Sequence, residues 1–315
     1  MSDKLVIALD IGGTQSRVAL VNSDAKILKR ISVPTEAGDG YKVIIKAIRE
    51  LITKDELARV SGIGVAIAGL LKSNSGTLVY SPNMPGWLNF PIKQIFSDEF
   101  GVPVYVGNDA SLAAIGEYKY GAARGINNFI YITVSTGIGG GLILDGKLYV
   151  GADGYAGEVG HMTIDLDGPL CACGMRGCFE AMASGTAIAR EARDLITAGN
   201  RSSLSDMVAN DLSKITAATV EQAARNGDHL ASDVMHQAAV NLGIGLSNLI
   251  IIFNPDAIVV GGGVTQSNEL IFDPARQVVA DRAVKYLQRE VPIIKAVLED
   301  NVGLIGAAAI ALNNA

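Results

Sequence analysis

Two short apolar runs, each interrupted by a glycine turn that carries a threonine, constrain this chain most. The first is Lys4-Leu-Val-Ile-Ala-Leu-Asp10, which stops at Ile11-Gly-Gly-Thr14 before Arg17-Val-Ala-Leu-Val21 resumes it. The second is Phe129-Ile-Tyr-Ile-Thr-Val134, followed by the glycine loop Ser135-Thr-Gly-Ile-Gly-Gly-Gly141 and the returning run Leu142-Ile-Leu144. β-forming residues on both sides of a glycine turn read as a hairpin. Its recurrence predicts an internal duplication, two α/β units built on one plan. Glycine supplies 36 of the 315 residues with no collagen period, so these glycines serve local backbone geometry.

The rest of the chain fills in those units. Ile27 to Val33 reads as a third strand, and from Val43 the apolar positions take helical spacing. Gly62 to Ala68 and Val102 to Val106 are strand-like, and a helical pattern runs from Ala110 to Tyr118. Beyond Ser184 the chain turns helical, with breaks at Asn200-Arg-Ser-Ser203 and Asn226-Gly227. Asp256 to Val260 is a strand leading into Gly261-Gly262-Gly263, and Val302 to Leu312 is an alanine-rich helix. At about 150 residues per domain the length predicts two domains, residues 1–107 and 108–301. No linker rich in proline, serine or charge separates them, so they are expected to share a tight hinge and a cleft.

Composition removes several function classes. With 26 basic and 32 acidic side chains the net charge is −6, which argues against nucleic acid or an anionic membrane as partner. The apolar stretch Leu5 to Leu9 is too short for a secretory signal, and Leu249 to Phe253 falls far short of a membrane span. The expectation is a cytoplasmic protein.

Three glycine loops follow strands, at Gly12-Gly13-Thr14, Thr136-Gly137 and Gly261-Gly262-Gly263. Glycine lets backbone N–H groups close on a phosphate, and the two threonines add hydroxyl donors. The same loops could be plain hairpin turns or bulges. None is a Walker A loop or a dinucleotide fingerprint. Asp10, at a strand end, reads either as a magnesium ligand facing nucleotide phosphates or as an Asx turn. Asp109 reads either as a helix N-cap or as a general base, with Asn108 orienting a substrate hydroxyl.

Cysteine gives the most specific local signal. The only three, Cys171, Cys173 and Cys178, lie within eight residues, with Gly174 and Gly177 in the same knuckle. Together with His161 they make a Cys₃His set, which would fill a tetrahedral zinc site with no open position and so a structural one; the alternatives are three unligated core thiols or reactive thiols. Glu158 and Glu180 bracket the cluster; they either line a polar pocket beside the metal-bound imidazole or lie outside it. His229 and His236 have no such company and read as solvated or packed.

The chain resembles the ROK family of sugar kinases and repressors, and within it the bacterial-type glucokinases. The resemblance runs from Ala8-Leu-Asp-Ile-Gly-Gly-Thr14 through Pro82-Asn-Met-Pro-Gly-Trp87, Gly107-Asn-Asp-Ala110 and Ser135 to Gly141. It ends on Gly157-Glu-Val-Gly-His161 and Cys171-Ala-Cys-Gly-Met-Arg-Gly-Cys-Phe-Glu180. It implies an α/β, actin/hexokinase-like (ribonuclease H-like) fold of two domains, with residues 302–315 packing back on the first. It implies ATP, Mg²⁺ and a structural Zn²⁺, glucose or another hexose (mannose, fructose, N-acetylmannosamine, N-acetylglucosamine) as acceptor, and a homodimer or homotetramer. Asp109 would be the catalytic base, and Gly69, Asn108, Glu158, His161 and Glu180 would bind the sugar. The family's first-domain loop usually reads G-x-P-G, whereas here it is Ala66-Ile-Ala-Gly69. Asp10, Gly12, Gly13, Thr14, Thr136, Gly137 and Gly261 to Gly263 would face phosphate and magnesium. The family's sugar-sensing regulators carry a DNA-binding module before the first glycine turn; only about nine residues precede Asp10 here.

Overall fold

The computed structural model describes residues 4–36, 38–72, 75–81, 84 and 86–314. Pro82, Asn83 and Pro85 of the Pro82 to Trp87 stretch lie outside the described residues.

The chain opens with strands β1 (Leu5–Ile11), β2 (Gln15–Asn22) and β3 (Ile27–Pro34), then helices α1 (Gly40–Leu51) and α2 (Lys54–Leu57). Strand β4 (Val60–Ile67) follows, with the small pair β5 (Leu70–Lys72) and β6 (Thr77–Tyr80). Helix α3 (Ile92–Phe100), strand β7 (Val104–Asn108) and helix α4 (Asp109–Tyr120) complete this part. Strands β8 (Phe129–Val134), β9 (Ile138–Leu144) and β10 (Lys147–Leu148) begin the second sheet. Then come α5 (Phe179–Ala183), α6 (Gly185–Thr197), α7 (Leu204–Met207), α8 (Ala217–Arg225) and α9 (His229–Phe253). The chain closes with β11 (Ala257–Gly261), α10 (Asp273–Val279), α11 (Lys285–Leu287), β12 (Ile293–Lys295) and α12 (Val302–Asn314).

The two larger sheets run β3-β2-β1-β4-β7 and β10-β9-β8-β11-β12. Both have the order third, second, first, fourth, fifth, which is the duplication the two glycine hairpins predict. One detail differs from the sequence reading. The glycine loop expected from Ser135 to Gly141 is short, because β9 already begins at Ile138. Glycine inside that strand has a packing reason: a Cβ on Gly141 would stand 2.7 Å from the Ala110 carbonyl oxygen of α4.

Close contacts gather the chain into two compact units. Unit 1 holds the chain up to Tyr131, Gly141–Gly157 and the segment from Ala296; unit 2 holds Ile132–Gly140 and Glu158–Lys295. The sequence reading starts the second domain at residue 108, but the structure keeps α4 in unit 1. Glycines explain why: a Cβ on Gly116 of α4 would meet the Gly306 nitrogen of α12 at 3.1 Å, so the two helices approach backbone to backbone.

In unit 1 the alternation of β1 decides what each side chain meets. Leu5, Ile7, Leu9 and Ile11 pack with Ile44, Ile48 and Phe96 from α1 and α3. Val6 and Ala8 pack with Leu112 of α4 and Leu304, Ala307 and Ala308 of α12. Asp10 continues this second series, so a carboxylate falls where the sequence phase buries an apolar side chain. In unit 2, α9 is the core helix, packed on α5, α6, α8 and α10. It is the one described helix long and apolar enough to cross a membrane by composition, yet Leu242, Leu246, Leu249 and Ile250 are buried in its own unit.

Candidate functional site

Unit 1 brings two carboxylates to one end of its sheet. Asp10 on β1 pairs in register with Ala66 on β4, which pairs with Gly107 on β7, one residue before Asn108 and two before Asp109. Asp10 Oδ2 accepts a 3.0 Å bond from Arg17 Nη1, its cross-strand partner on β2. The Asx turn weighed for this residue is therefore replaced by an ion pair. Gly303, in the first turn of α12, leaves the room: a Cβ there would lie 2.6 Å from Asp10 Cγ. Burial pushes the Asp10 carboxyl above the usual range, and Arg17 opposes the rise.

Asp109 is not the helix cap. Asn108 has extended dihedrals and its Oδ1 accepts from Ser111 N at 3.1 Å, so it caps α4 and Asp109 becomes the first helical residue. The side-chain carbonyl of Asn108 is thus engaged, and only its amide N–H₂ remains to reach a ligand. Asp109 Oδ1 accepts from Ala110 N at 2.8 Å, while Oδ2 has no hydrogen-bond partner among the described residues. Desolvation raises the Asp109 carboxyl above its ordinary value, and the charge of Asp10 adds to the rise. The result is a strengthened base with one oxygen available.

The other unit 1 candidates lie at turns. Gly12, Gly13 and Thr14 join β1 to β2, with Gly12 N donating to Gln15 O at 3.1 Å. Gly69 has φ +126°, and a Cβ would stand 2.5 Å from Tyr80 O, so only glycine fits.

In unit 2 the sulfurs and the imidazole converge. The ligand atoms of His161, Cys171, Cys173 and Cys178 all lie within 4.8 Å of one another. Cys173 and Cys178 sulfurs are 3.6 Å apart, and Cys171 Sγ is 3.8 Å from His161 Nδ1. A tetrahedron with bonds of about 2.3 Å has edges of about 3.8 Å, so the four atoms fit a zinc ion. Gly174 and Gly177 both have positive φ, which turns the knuckle inward as the sequence spacing suggests. Burial pushes the Cys178 thiol up to about 12, so its thiolate needs a cation beside it. With Nδ1 facing the sulfurs, His161 Nε2 lies 3.9 Å from Glu158 Oε2. That leaves the Nε2 proton to an outside acceptor.

Glu180, two residues past Cys178, reaches the turn after β8. Its Oε2 accepts from Ile138 N at 2.9 Å, and a Cβ on Gly137 would collide with that oxygen. At the same turn Thr186 Oγ1 donates to Thr136 O at 2.8 Å. Gly262, with φ +91°, packs on the Val134 backbone, so Gly261 to Gly263 sits beside Thr136-Gly137. His229 and His236 are exposed on α9.

A cavity of about 480 Å³ opens at these paired turns, within unit 2. Thr136 and Gly263 line one part, Ile188, Ile215 and Met235 give apolar walls, and Arg193 and Glu221 are its charged residues. Sequence reasoning missed this part of the site. Its walls come from α6, α8 and α9, and no single spacing joins them; the capping box at Thr216 and Thr219 marks only where α8 starts.

Comparison with known proteins agrees across the whole chain. The ROK family model matches residues 6–314. A glucokinase of Thermotoga maritima is 34% identical over 306 residues, 97% of this chain and 96% of that protein. The crystal structure of a ROK family glucokinase from Streptomyces griseus, in complex with glucose and AMPPNP, matches with TM-score 0.82 and 34% identity, covering 98% of this chain and 99% of that one. A ROK family transcriptional regulator, a homolog of the E. coli MLC protein, matches with TM-score 0.85 and 27% identity, covering 98% of this chain and 78% of that one. The architecture is the α/β, hexokinase- and actin-like fold. This chain belongs to the ROK family.

Proposed function

We propose that this chain is an ATP-dependent glucokinase that transfers the γ-phosphoryl group to the 6-hydroxyl of glucose. The observation that carries the reading is Asp109: a desolvated, strengthened carboxylate, one oxygen held by Ala110 N–H and the other unpartnered among the described residues. Phosphoryl transfer asks little covalent work of a protein beyond aligning acceptor and donor and taking the hydroxyl proton. Asp109 Oδ2 takes that proton. Asn108 Nδ2, Glu158, His161 Nε2 and Glu180 orient the other hydroxyls, and Gly69 backs the ring.

The backbone N–H groups of the turns at Gly12 to Thr14, Thr136-Gly137 and Gly261 to Gly263 hold the phosphates, and the cavity of unit 2 takes the nucleoside. Asp10, with Oδ2 held by Arg17, would offer Oδ1 to magnesium, and the ion when bound would supply charge neutralisation on the phosphates. His161, Cys171, Cys173 and Cys178 would hold a structural zinc, which when bound would keep the imidazole oriented with Nε2 turned away from the sulfurs.

Sugar-dependent ADP formation tests the reading, measured across glucose, mannose, fructose, N-acetylmannosamine and N-acetylglucosamine. Glucose is expected to give the highest kcat/KM. Preference for another hexose moves the substrate and keeps the chemistry. Sugar binding without ADP formation on any of them would make the chain a sensor and sink the kinase reading.

A further inference from the structure

The cavity at the glycine turns of unit 2 is lined by one cation, Arg193, and by one carboxylate that a purely phosphate-binding site would avoid. Glu221 lines it from α8. Its Oε1 accepts from Arg225 Nε at 3.0 Å and Nη2 at 2.9 Å, one helical turn further on. Arg225 is itself held by Ser267 Oγ at 3.1 Å and Glu269 at 3.3 Å. The clamp uses up Oε1 and leaves Oε2 without a partner among the described residues.

Depth within the cavity separates two environments. Ile188 and Met235 are 1% and 2% exposed, whereas the Glu221 side chain is 29% exposed. A flat, weakly polar ring belongs against the first pair. A polar group with hydrogens to donate belongs at the second. A polyanion suits neither, because apolar walls do not solvate it and the carboxylate repels it; the one cation of the lining, Arg193, has its Nη1 turned to Ile215 O at 3.3 Å.

Resting on the kinase reading above, we propose that Glu221, fixed by Arg225, accepts hydrogen bonds from the ribose hydroxyls of the phosphoryl donor and so selects a ribonucleotide over a deoxynucleotide or a bare polyphosphate. A vicinal diol supplies two donors to a carboxylate that can only accept, and a half-buried acceptor already fixed in place loses a bond when the analogue lacks the hydroxyl. Arg225 acts as a positioning residue, since it reaches the ligand only through Glu221.

The test is displacement of a fluorescent ADP analogue from the full chain by ADP, 2′-deoxyADP, 3′-deoxyADP, inosine diphosphate and tripolyphosphate, in wild type and Glu221→Gln. Wild type is expected to bind ADP about tenfold more tightly than at least one deoxynucleotide. Glu221→Gln loses that advantage, leaves the disfavoured deoxynucleotide within about twofold, and binds tripolyphosphate more tightly. Arg225→Met keeps the carboxylate but frees it, and loses part of the same discrimination; it also serves if Glu221→Gln does not fold. Equal losses for ADP and both deoxynucleotides overturn the proposal, as does no loss at all. A loss for ADP but not for inosine diphosphate overturns the ribose assignment in favour of the adenine amino group. Glucose-dependent ADP formation by the wild type is scored separately, so failure of the kinase reading is not confused with failure of this one.

Discussion

Replacing Gly137 with alanine tests whether Glu180 works through its position. Gly137 has no positive φ, so alanine accepts the backbone without strain. The new Cβ meets one obstacle, the Glu180 carboxylate, which must retreat by about 0.7 Å or more. Its 2.9 Å bond from Ile138 N–H then stretches toward about 3.6 Å and ceases to be a hydrogen bond. A bond to a charged acceptor contributes about 1.5–3 kcal/mol, and a displaced carboxylate loses as much toward a sugar hydroxyl. The expected result is a fall in kcat/KM for the sugar of about 10- to 100-fold.

Four proteins complete the assay: wild type, Gly137→Ala, Glu180→Ala and the double variant, each followed by steady-state kinetics on glucose and on ATP. Once Glu180 is truncated the methyl group has nothing to strike. The alanine should therefore cost little in that background, and the two changes couple strongly. A normal KM for glucose in Gly137→Ala, or the same loss with and without the Glu180 carboxylate, would refute the steric argument.

Four further predictions concern Asp109, Glu117 and the zinc cluster. Below its raised pKa Asp109 is protonated and cannot act as a base, so kcat/KM should fall on the acid side along a limb above the ordinary carboxylate value of 3.8; Asp109→Asn should cut turnover by about 10²–10⁴. Because the fold favours the neutral carboxyl, its stabilising contribution is present below the ordinary pKa and is lost as pH rises through the raised one. Asp109→Asn should therefore unfold at a higher temperature than wild type near about pH 8 but not near about pH 3. Glu117 is fully buried and accepts from Ala122 N at 2.7 Å, Leu298 N at 2.9 Å and Val297 N at 3.1 Å. Glu117→Ala should cost about 3 kcal/mol or more in denaturant unfolding by stranding three donors; a loss below about 1 kcal/mol would show that water replaces the carboxylate. Zinc measured by atomic absorption should approach one ion per chain, and chelation should lower the thermal midpoint and glucose affinity together; full affinity in metal-free protein would contradict the site.

What the sequence reveals depends on whether a feature is local or assembled. Cys171, Cys173 and Cys178 lie on one knuckle whose two left-handed glycines are visible as Gly174 and Gly177, so the cluster is legible from spacing alone. The duplicated sheet order is legible for a similar reason, because each hairpin is contiguous and its glycine turn marks the register. Roles that depend on phase are half legible. That Asp109 follows a strand and opens a helix is plain, but which residue caps the helix depends on where the extended backbone ends, and the structure ends it at Asn108. The assembled features are hidden. Glu221 and Arg225 stand four apart on an amphipathic helix, a spacing that in sequence means only an ordinary surface ion pair. What separates this pair from Lys46 and Glu50, which share the spacing on α1, is that Ile188 and Met235 arrive beside it from elsewhere in the chain. The proposed donor site is hidden because its chemistry is common and only its neighbours are unusual. Neighbours from separate helices are what packing supplies and spacing cannot.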